Sequence, residues 1–238
     1  MTDLPDLWAY LQQGALLWLV VTLAAYGIGD AAFRRAGRSP WVNPVLVAVV
    51  LVSAALVGTG TSYQTYFEGA QFVHFLLGPA TVALAVPLFA NLHRLRAAMV
   101  PMLAALVAGS VVAMVSAVGI GWLCGVRGAA LVSLLPKSAT SPVALGVAET
   151  IGGIPALTAA MVILTGIIGA VVVTPLYNAM GVRDWRARGF ATGVAAHGIG
   201  TARAFQVNET AGAFAGIGMG LNALVTALLA PVVAHWLF

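Results

Sequence analysis

Lys137 is the only lysine of the chain, and it lies in a polar break, residues 136–142, that begins and ends with proline. Proline and the residue before it both oppose helix continuation, so this pattern predicts unwound backbone. Non-helical backbone within a membrane must be buried in protein or line a water-filled cavity, and a cation there indicates a functional site. The ammonium group of Lys137 would bind a carboxylate. The alternative is that Lys137 only extends from a helix end to the lipid headgroups.

A second polar break, residues 192–204, contains Arg203 and several glycines. Glycine allows the backbone to bend, and we expect the helix to open at Gly198 and Gly200, where freed N–H groups would bind an anion. The guanidinium of Arg203 would add a planar pair of donors suited to a carboxylate. We therefore predict that Lys137 and Arg203 hold one small anion between them. The predicted binding residues are Lys137, Ser138, Thr140, Ser141, His197, Gly198, Gly200, Thr201 and Arg203.

The ionisable residues near these breaks also have second interpretations. Arg203 could pair with Glu149 or Glu209 in a purely structural contact. His197 titrates near neutral pH and could relay a proton, but it could equally hydrogen-bond a neighbouring helix. Glu149 could cap a turn or carry a coupling proton. The candidates for proton coupling are Glu149, His197 and Glu209.

The overall composition predicts that both breaks lie in a membrane protein. Hydrophobic residues make up 61% and charged residues 8% of the chain, whereas charged residues make up about 25% of a soluble domain. An apolar stretch of about 20 residues can cross a bilayer as a helix. We expect an all-α polytopic membrane protein with about six full transmembrane helices and two broken or re-entrant segments. The predicted spans are 8–28, 41–59, 72–90, 97–122, 154–179 and 212–238, and the interrupted segments are 129–148 and 190–205.

The loop charges predict the orientation of these spans. Arginines favour the cytoplasmic side, so the acidic residues before the first span and Arg34 and Arg35 after it place the N-terminus outside. If residues 129–148 crossed fully, the basic loop 183–188 would lie outside as well, against the same rule. A re-entrant hairpin at 129–148 removes this conflict. We therefore predict a multi-pass protein of the cell inner membrane.

Several function classes find no support in the chain. Cys124 is the only cysteine, so an intrachain disulfide is impossible and a cysteine-based metal site has no second ligand. The arginines are scattered over short loops rather than gathered on one face, which argues against nucleic acid as a partner. No P-loop, nucleophile elbow, metal-binding His pair or paired carboxylates occur. We expect no enzymatic activity, no cofactor and no metal.

Five segments of the chain resemble the LrgB/CidB family of membrane proteins. They are residues 78–88, 133–138, 149–158, 187–189 and 197–204. After the arginine motif the family commonly has two acidic residues, and here Glu209 is kept whereas Ala211 occupies the second place. The resemblance implies a holin-like or antiholin-like role in controlling murein hydrolase export. It also implies carboxylate transport, since plastid relatives carry glycolate and glycerate and some bacterial relatives are linked to pyruvate uptake.

We interpret residues 1–238 as a single integral membrane domain. Residues 1–60 would hold the first two helices and residues 61–238 the family core, with the broken segments around 136–142 and 197–203. Internal similarity is also present, because residues 76–86 resemble residues 134–147. It indicates either an inverted repeat, which is common in carriers, or a chance recurrence in apolar sequence.

Together these features predict a membrane transporter of small monocarboxylates of the glycolate, glycerate or pyruvate type, held by Lys137 and Arg203. The alternative is a holin-like or antiholin-like protein that modulates murein hydrolase export and cell lysis. The expected partners are the carboxylate, the lipid bilayer and further copies of the chain. The resemblance adds a small LrgA/CidA-type membrane protein as a partner.

Overall fold

The structure, a computed structural model, describes residues 15–76, 79, 89 and 99–237. These residues form helices and no strands, which confirms the predicted all-α class. Two compact units divide between Ala83 and Leu84. The helices of the first unit are α1 (Ala15–Arg35), α2 (Pro44–Thr59) and α3 (Tyr63–Phe75). Those of the second are α4 (Met99–Leu123), α5 (Gly128–Val132), α6 (Ser141–Thr150), α7 (Pro155–Ala179), α8 (Trp185–Val207) and α9 (Glu209–Leu237).

The first unit packs α1 against α2 and α3. The rings of Trp18 and Tyr66 meet edge to face with centroids 5.9 Å apart, and the Thr22 hydroxyl donates to the Tyr66 hydroxyl at 3.2 Å. Helix α2 begins where the Asn43 side chain accepts hydrogen bonds from two backbone N–H groups, and it ends at Gly60 with φ 65°. A left-handed residue at that position is the usual helix stop, and glycine adopts it without strain.

Four helices among the described residues are long and apolar enough to cross a membrane, namely α1, α4, α7 and α9. The last three match the predicted spans 97–122, 154–179 and 212–238 closely. Helix α1 continues to Arg35 instead of ending at residue 28, and Asp30 and Arg34 pair at 2.8 Å in its last turns. Helix α2 has only 16 residues, about 24 Å. Asn43 caps it, so the helix begins at Pro44 and not at residue 41, where the predicted span began. The predicted count of six spans is not confirmed, and the span 72–90 lies mostly outside the described residues.

Helices α5 and α6 form the two limbs of a short helical hairpin, which we call hairpin 1. Helix α6 has 10 residues, about 15 Å, or half of a bilayer core of about 30 Å. At its shallow end, the Ser133 hydroxyl accepts the N–H of Ile154, the residue that precedes α7, at 2.7 Å. At its deep end, the side-chain amide of Asn222, near the middle of α9, donates to the Ser138 carbonyl at 3.0 Å. The chain therefore enters to mid-depth and returns to the side on which α7 begins.

Helix α8 folds back on itself and forms a second hairpin, hairpin 2. Its backbone breaks at Ala196 and at His197, which has φ 40° and ψ −135°. A Cβ added to Gly200 would lie 3.0 Å from Thr192 Cγ2, whereas residues eight apart in a straight helix are separated by about 12 Å. The expected opening at Gly198 and Gly200 is thus wrong by a few residues.

The turn of hairpin 2 lies at Ala196 and His197 because α7 leaves room for it there. A Cβ on Gly166 would lie 2.6 Å from the His197 ring, and one on Gly169 would overlap the Ala196 side chain. Two glycines on α7 therefore admit the turn at mid-helix.

The two hairpins enter the second unit from opposite ends. Hairpin 1 packs in a buried apolar cluster in which Leu131 joins Val118 of α4 and Ala230 in the C-terminal half of α9. Hairpin 2 packs along the N-terminal half of α9, where a Cβ on Gly189 would overlap the backbone of Ala211. Helix α4 is followed by hairpin 1, and α7 is followed by hairpin 2. Because the two hairpins pack against opposite halves of the continuous helix α9, these two helix–hairpin units are arranged like an inverted repeat. The earlier segment of the sequence similarity, residues 76–86, lies almost entirely outside the described residues.

Cysteine labelling tests the re-entrant paths. A membrane-impermeant maleimide should react with the exposed Cys124. It should react from the same side with a Thr150→Cys variant that is made in a Cys124→Ser background. Arg183→Cys and Val207→Cys, in the same background, should both react from the other side. Labelling of positions 124 and 150 from opposite sides would show that residues 129–148 cross fully.

Candidate functional site

Lys137 lines a cavity of about 830 Å³ in the second unit. One wall is α4 from Pro101 to Ala113, about 18 Å of helix, and the facing wall is the first limb of hairpin 2 from Asp184 to Ala195. Asp184 lies where α8 begins, whereas Ala113 and Ala195 lie at mid-depth. The cavity thus runs from the end of α7 inward, and Lys137 lies at its deep end.

The segment that carries Lys137 is tightly packed although it is not helical. The side chains of Leu135, Pro136 and Ala139 are buried, and the Ala139 N–H donates to the Pro136 carbonyl at 3.0 Å. The Lys137 ammonium donates to the Ser138 hydroxyl at 3.1 Å. Across the described part of the chain, no carboxylate lies within ion-pair distance of it. The geometry presents a cation and a hydroxyl together at the end of the cavity.

A buried hydrogen-bonded pair of side chains sets the depth of this segment. Asn222 and Ser110 are each 1% exposed, and they lie near the middle of α9 and α4. The Ser110 hydroxyl donates to the Asn222 side-chain oxygen at 2.6 Å, while the Asn222 amide donates to the Ser138 carbonyl. One side chain therefore connects both spanning helices to the residue next to Lys137.

Arg203 lies apart from the Lys137 cavity. It is 7% exposed, its guanidinium donates to the Thr174 hydroxyl at 3.5 Å, and it lines a separate cavity of about 20 Å³, room for about one water molecule. Tyr177 borders both cavities. The reversal at His197 carries Arg203 back toward the end of α7, so the predicted clamp of Lys137 and Arg203 on one anion is not seen. Arg203 forms no ion pair with Glu149 or Glu209, both of which the structure describes.

The remaining predicted binding residues have structural contacts. His197 Nε2 lies 2.8 Å from the Val162 carbonyl, so this nitrogen donates its N–H to α7. The Thr201 hydroxyl donates to the His197 carbonyl at 2.8 Å. Thr140 is the residue before α6, and Ser141 is its first residue. Gly200 packs against Thr192, as described above, and Gly198 is exposed.

The candidates for proton coupling other than His197 lie at the surface. Glu149 is exposed next to the end of α6, and Glu209 is exposed at the first residue of α9. Of all the predicted site residues, Lys137 and Ser138 line the large cavity.

Sequence reasoning missed residues that position the site. Asn222 and Ser110 are polar side chains in the middle of apolar spanning helices, and such residues commonly hydrogen-bond across helices. Gly166 and Gly169, three residues apart on α7, follow the spacing of close helix contacts. These signals were present in the sequence, but it did not show which segment each residue contacts.

A polar pair lies at the other end of the cavity. Asp184 caps α8 by accepting the Arg186 N–H at 2.8 Å, and the Arg186 guanidinium donates to the same carboxylate at 2.7 Å. The hydrogen bond from the Arg186 side chain lowers the pKa of the Asp184 carboxyl below its usual range, and Asp184 raises the pKa of Arg186. Both groups therefore remain charged around neutral pH.

Residues 22–236 match the model of the LrgB-like family. The chain belongs to this family. The long apolar helices and the membership in this family together identify an LrgB-like multi-pass membrane protein. No solved structure matches the chain.

Three relatives are similar to this LrgB-like chain over nearly its whole length. The Bacillus subtilis protein named "Uncharacterized protein YxaC" is 34% identical over 225 residues, which cover 94% of this chain and 96% of that protein. The "Antiholin-like protein LrgB" of Bacillus mycoides is 32% identical over 214 residues, with 90% and 93% covered. The "Holin-like protein CidB" of Staphylococcus epidermidis is 30% identical over 223 residues, with 94% and 96% covered.

An Asn222→Ala variant should lower the free energy of unfolding by about 1–3 kcal/mol, because it leaves the Ser138 carbonyl and the Ser110 hydroxyl buried without their partner. Thermal unfolding in detergent, followed by circular dichroism, measures this loss. A double-mutant cycle with Ser110→Ala isolates the contact, and additive losses would mean that the two side chains do not act together.

Gly166→Ala should destabilise the protein by about 1–3 kcal/mol, since its methyl group would overlap the His197 ring. Gly119→Ala on α4 is the matched control, because nothing lies within 4 Å of a Cβ at that position. The same unfolding measurement compares the two variants. Equal stability of both would contradict the close approach of hairpin 2 to α7.

Proposed function

We propose that this chain is a carrier of small monocarboxylates and that Lys137 binds the carboxylate. The observation that carries the proposal is the position of Lys137, at mid-depth in the second unit and at the deep end of a cavity of about 830 Å³. An ammonium group costs free energy in a membrane interior unless it pairs or serves a pathway for a charged solute. A bound carboxylate would supply the missing negative charge.

The two opposed hairpins support a carrier more than a simple pore. Many transporters bind their substrate near the bilayer midplane, where broken helices of two inverted halves meet. Here the deep end of hairpin 1 and the turn of hairpin 2 both lie at mid-depth, at Asn222 and at Gly166 respectively. Such a site could be reached from either side in turn if the hairpins shift relative to the spanning helices.

The proposal assigns smaller roles to some residues than the sequence suggested. Ser138 is the hydroxyl beside the carboxylate, and Asn222 positions it. Arg203 acts as a structural residue of hairpin 2, joined to Thr174. By the loop charges, the cavity faces the cytoplasm of a cell inner membrane, and the N-terminus lies outside.

A holin-like or antiholin-like role is the second candidate, and the names of two relatives favour it. Such a protein would control murein hydrolase export and cell lysis, together with a small LrgA/CidA-type partner. It would need no saturable binding of a carboxylate. The dependence of flux on Lys137 therefore separates the two candidates.

Counterflow of labelled pyruvate and glycolate into proteoliposomes that hold this chain alone tests the carrier. We expect saturable counterflow, and a Lys137→Met variant should reduce it at least about tenfold, because a charge-assisted hydrogen bond contributes about 1.5–3 kcal/mol. Arg127→Gln, which also removes one positive charge, should keep wild-type rates.

Two results would count against the carrier. Flux that rises linearly with concentration and is unchanged by Lys137→Met would favour a pore. No flux without an added LrgA/CidA-type partner would favour the second candidate.

A further inference from the structure

The Lys137 cavity is large for a three-carbon acid. Its volume of about 830 Å³ falls in the range of about 300–1,000 Å³ that is typical of sites for drug-sized ligands. A substrate held at Lys137 by its carboxylate would leave most of this space to the rest of the molecule. The lining of that space therefore decides which carboxylates bind well.

Among the described residues of the lining, the charged groups lie at its two ends, and Tyr177 adds a phenol hydroxyl 3.4 Å from the Thr192 hydroxyl. Lys137 and Ser138 lie at the deep end, while Asp184 and Arg186 lie at the other. Arg186 is nine residues from Ala195 on the same limb of hairpin 2, about 14 Å along the helix axis. A short dicarboxylate held at Lys137 could not reach Arg186 with its second charge.

Apart from Tyr177, the described residues of the facing walls between these ends are apolar. Helix α4 presents Met102 and Ala105, hairpin 2 presents Phe190 and Val194, and α9 presents Phe214. Of the hydroxyls that the sequence suggested for substrate orientation, Ser138 lines the deep end, whereas Thr201 donates within hairpin 2. A hydroxyl or second carboxylate placed along this strip, away from Tyr177, would lose its water without a replacement partner.

We infer that the preferred substrates are monocarboxylates with an apolar tail longer than that of pyruvate or glycolate, such as aliphatic 2-oxo acids of five or six carbons. This inference rests on the proposed function, because it takes Lys137 as the carboxylate site. The carboxylate binds Lys137 and Ser138, and the tail extends along the apolar strip toward Arg186. Each methylene that leaves water for this strip strengthens binding by up to about fourfold.

Calorimetric titration of the purified full chain with 2-oxo acids of three to six carbons tests the inference. We expect the dissociation constant to fall by roughly two- to fourfold for each added methylene. Glycerate and a five-carbon dicarboxylate should bind at least about tenfold more weakly than the five-carbon 2-oxo monocarboxylate. Affinity that is flat or falls with chain length would overturn the inference.

A matched pair of variants locates the tail. Ala105 lines the cavity, whereas the preceding Ala104 is exposed and is not part of that lining. Ala105→Leu should weaken binding of the six-carbon acid by at least about fivefold and leave pyruvate nearly unchanged, because it fills the strip but not the deep end. Ala104→Leu should change neither. Equal effects of both substitutions would contradict the assigned tail position.

Counterflow of the same acids keeps this inference distinct from the carrier proposal. If binding depends on chain length but no counterflow occurs, the carrier proposal is wrong and the assignment of the cavity stands. If pyruvate counterflow is saturable but longer acids are not preferred, the carrier proposal stands and the inference about the apolar tail is wrong. No binding of any monocarboxylate would overturn both.

Discussion

Backbone polar groups within a membrane must find hydrogen-bond partners inside the protein, and hairpin 1 depends on this constraint. Its unwound residues cannot use helix hydrogen bonds throughout, so side chains of the neighbouring elements replace them. Asn222 donates to the Ser138 carbonyl at the deep end, and the Thr158 hydroxyl donates to the Ser133 carbonyl at the shallow end. Because these bonds hold the segment, Lys137 can occupy a fixed position at the cavity without a helix around it.

Hairpin 2 satisfies the same constraint in a different way. Its limbs remain helical, and its break at mid-depth is confined to Ala196 and His197. The His197 ring donates back to the Val162 carbonyl of α7, and glycines on α7 and α8 let the backbones approach closely. Close contacts of small residues are a main source of helix association in membranes, where burial of apolar surface gains little. Hairpin 2 is thus held by close packing together with a few hydrogen bonds to α7, such as those of His197 and Arg203.

Much of this arrangement could be predicted from the sequence, for identifiable reasons. Hydropathy located α4, α7 and α9 to within a few residues, since a spanning helix must be apolar over its length. The prolines around Lys137 predicted a break in the helix, and the structure has non-helical backbone at residues 133–140. Both signals are local in the sequence.

The rest depended on contacts between distant parts of the chain. Gly198 and Gly200 were reasonable places for hairpin 2 to open, but the opposing surface of α7 determined where the turn fits. The predicted pairing of Lys137 with Arg203 is not seen, because the chain reverses at His197 and carries Arg203 to a separate cavity. Nor could hydropathy reveal Asn222 as the partner of Ser138, 84 residues away.

That separation has a consequence for biosynthesis. The ribosome makes Ser138 well before Asn222, and at about 5–20 residues per second the interval is roughly 4–17 seconds. During that time the Ser138 carbonyl has no Asn222 to bond and depends on water or another partner. The bond that holds the deep end of hairpin 1 to the last helix therefore forms only after that helix has been made.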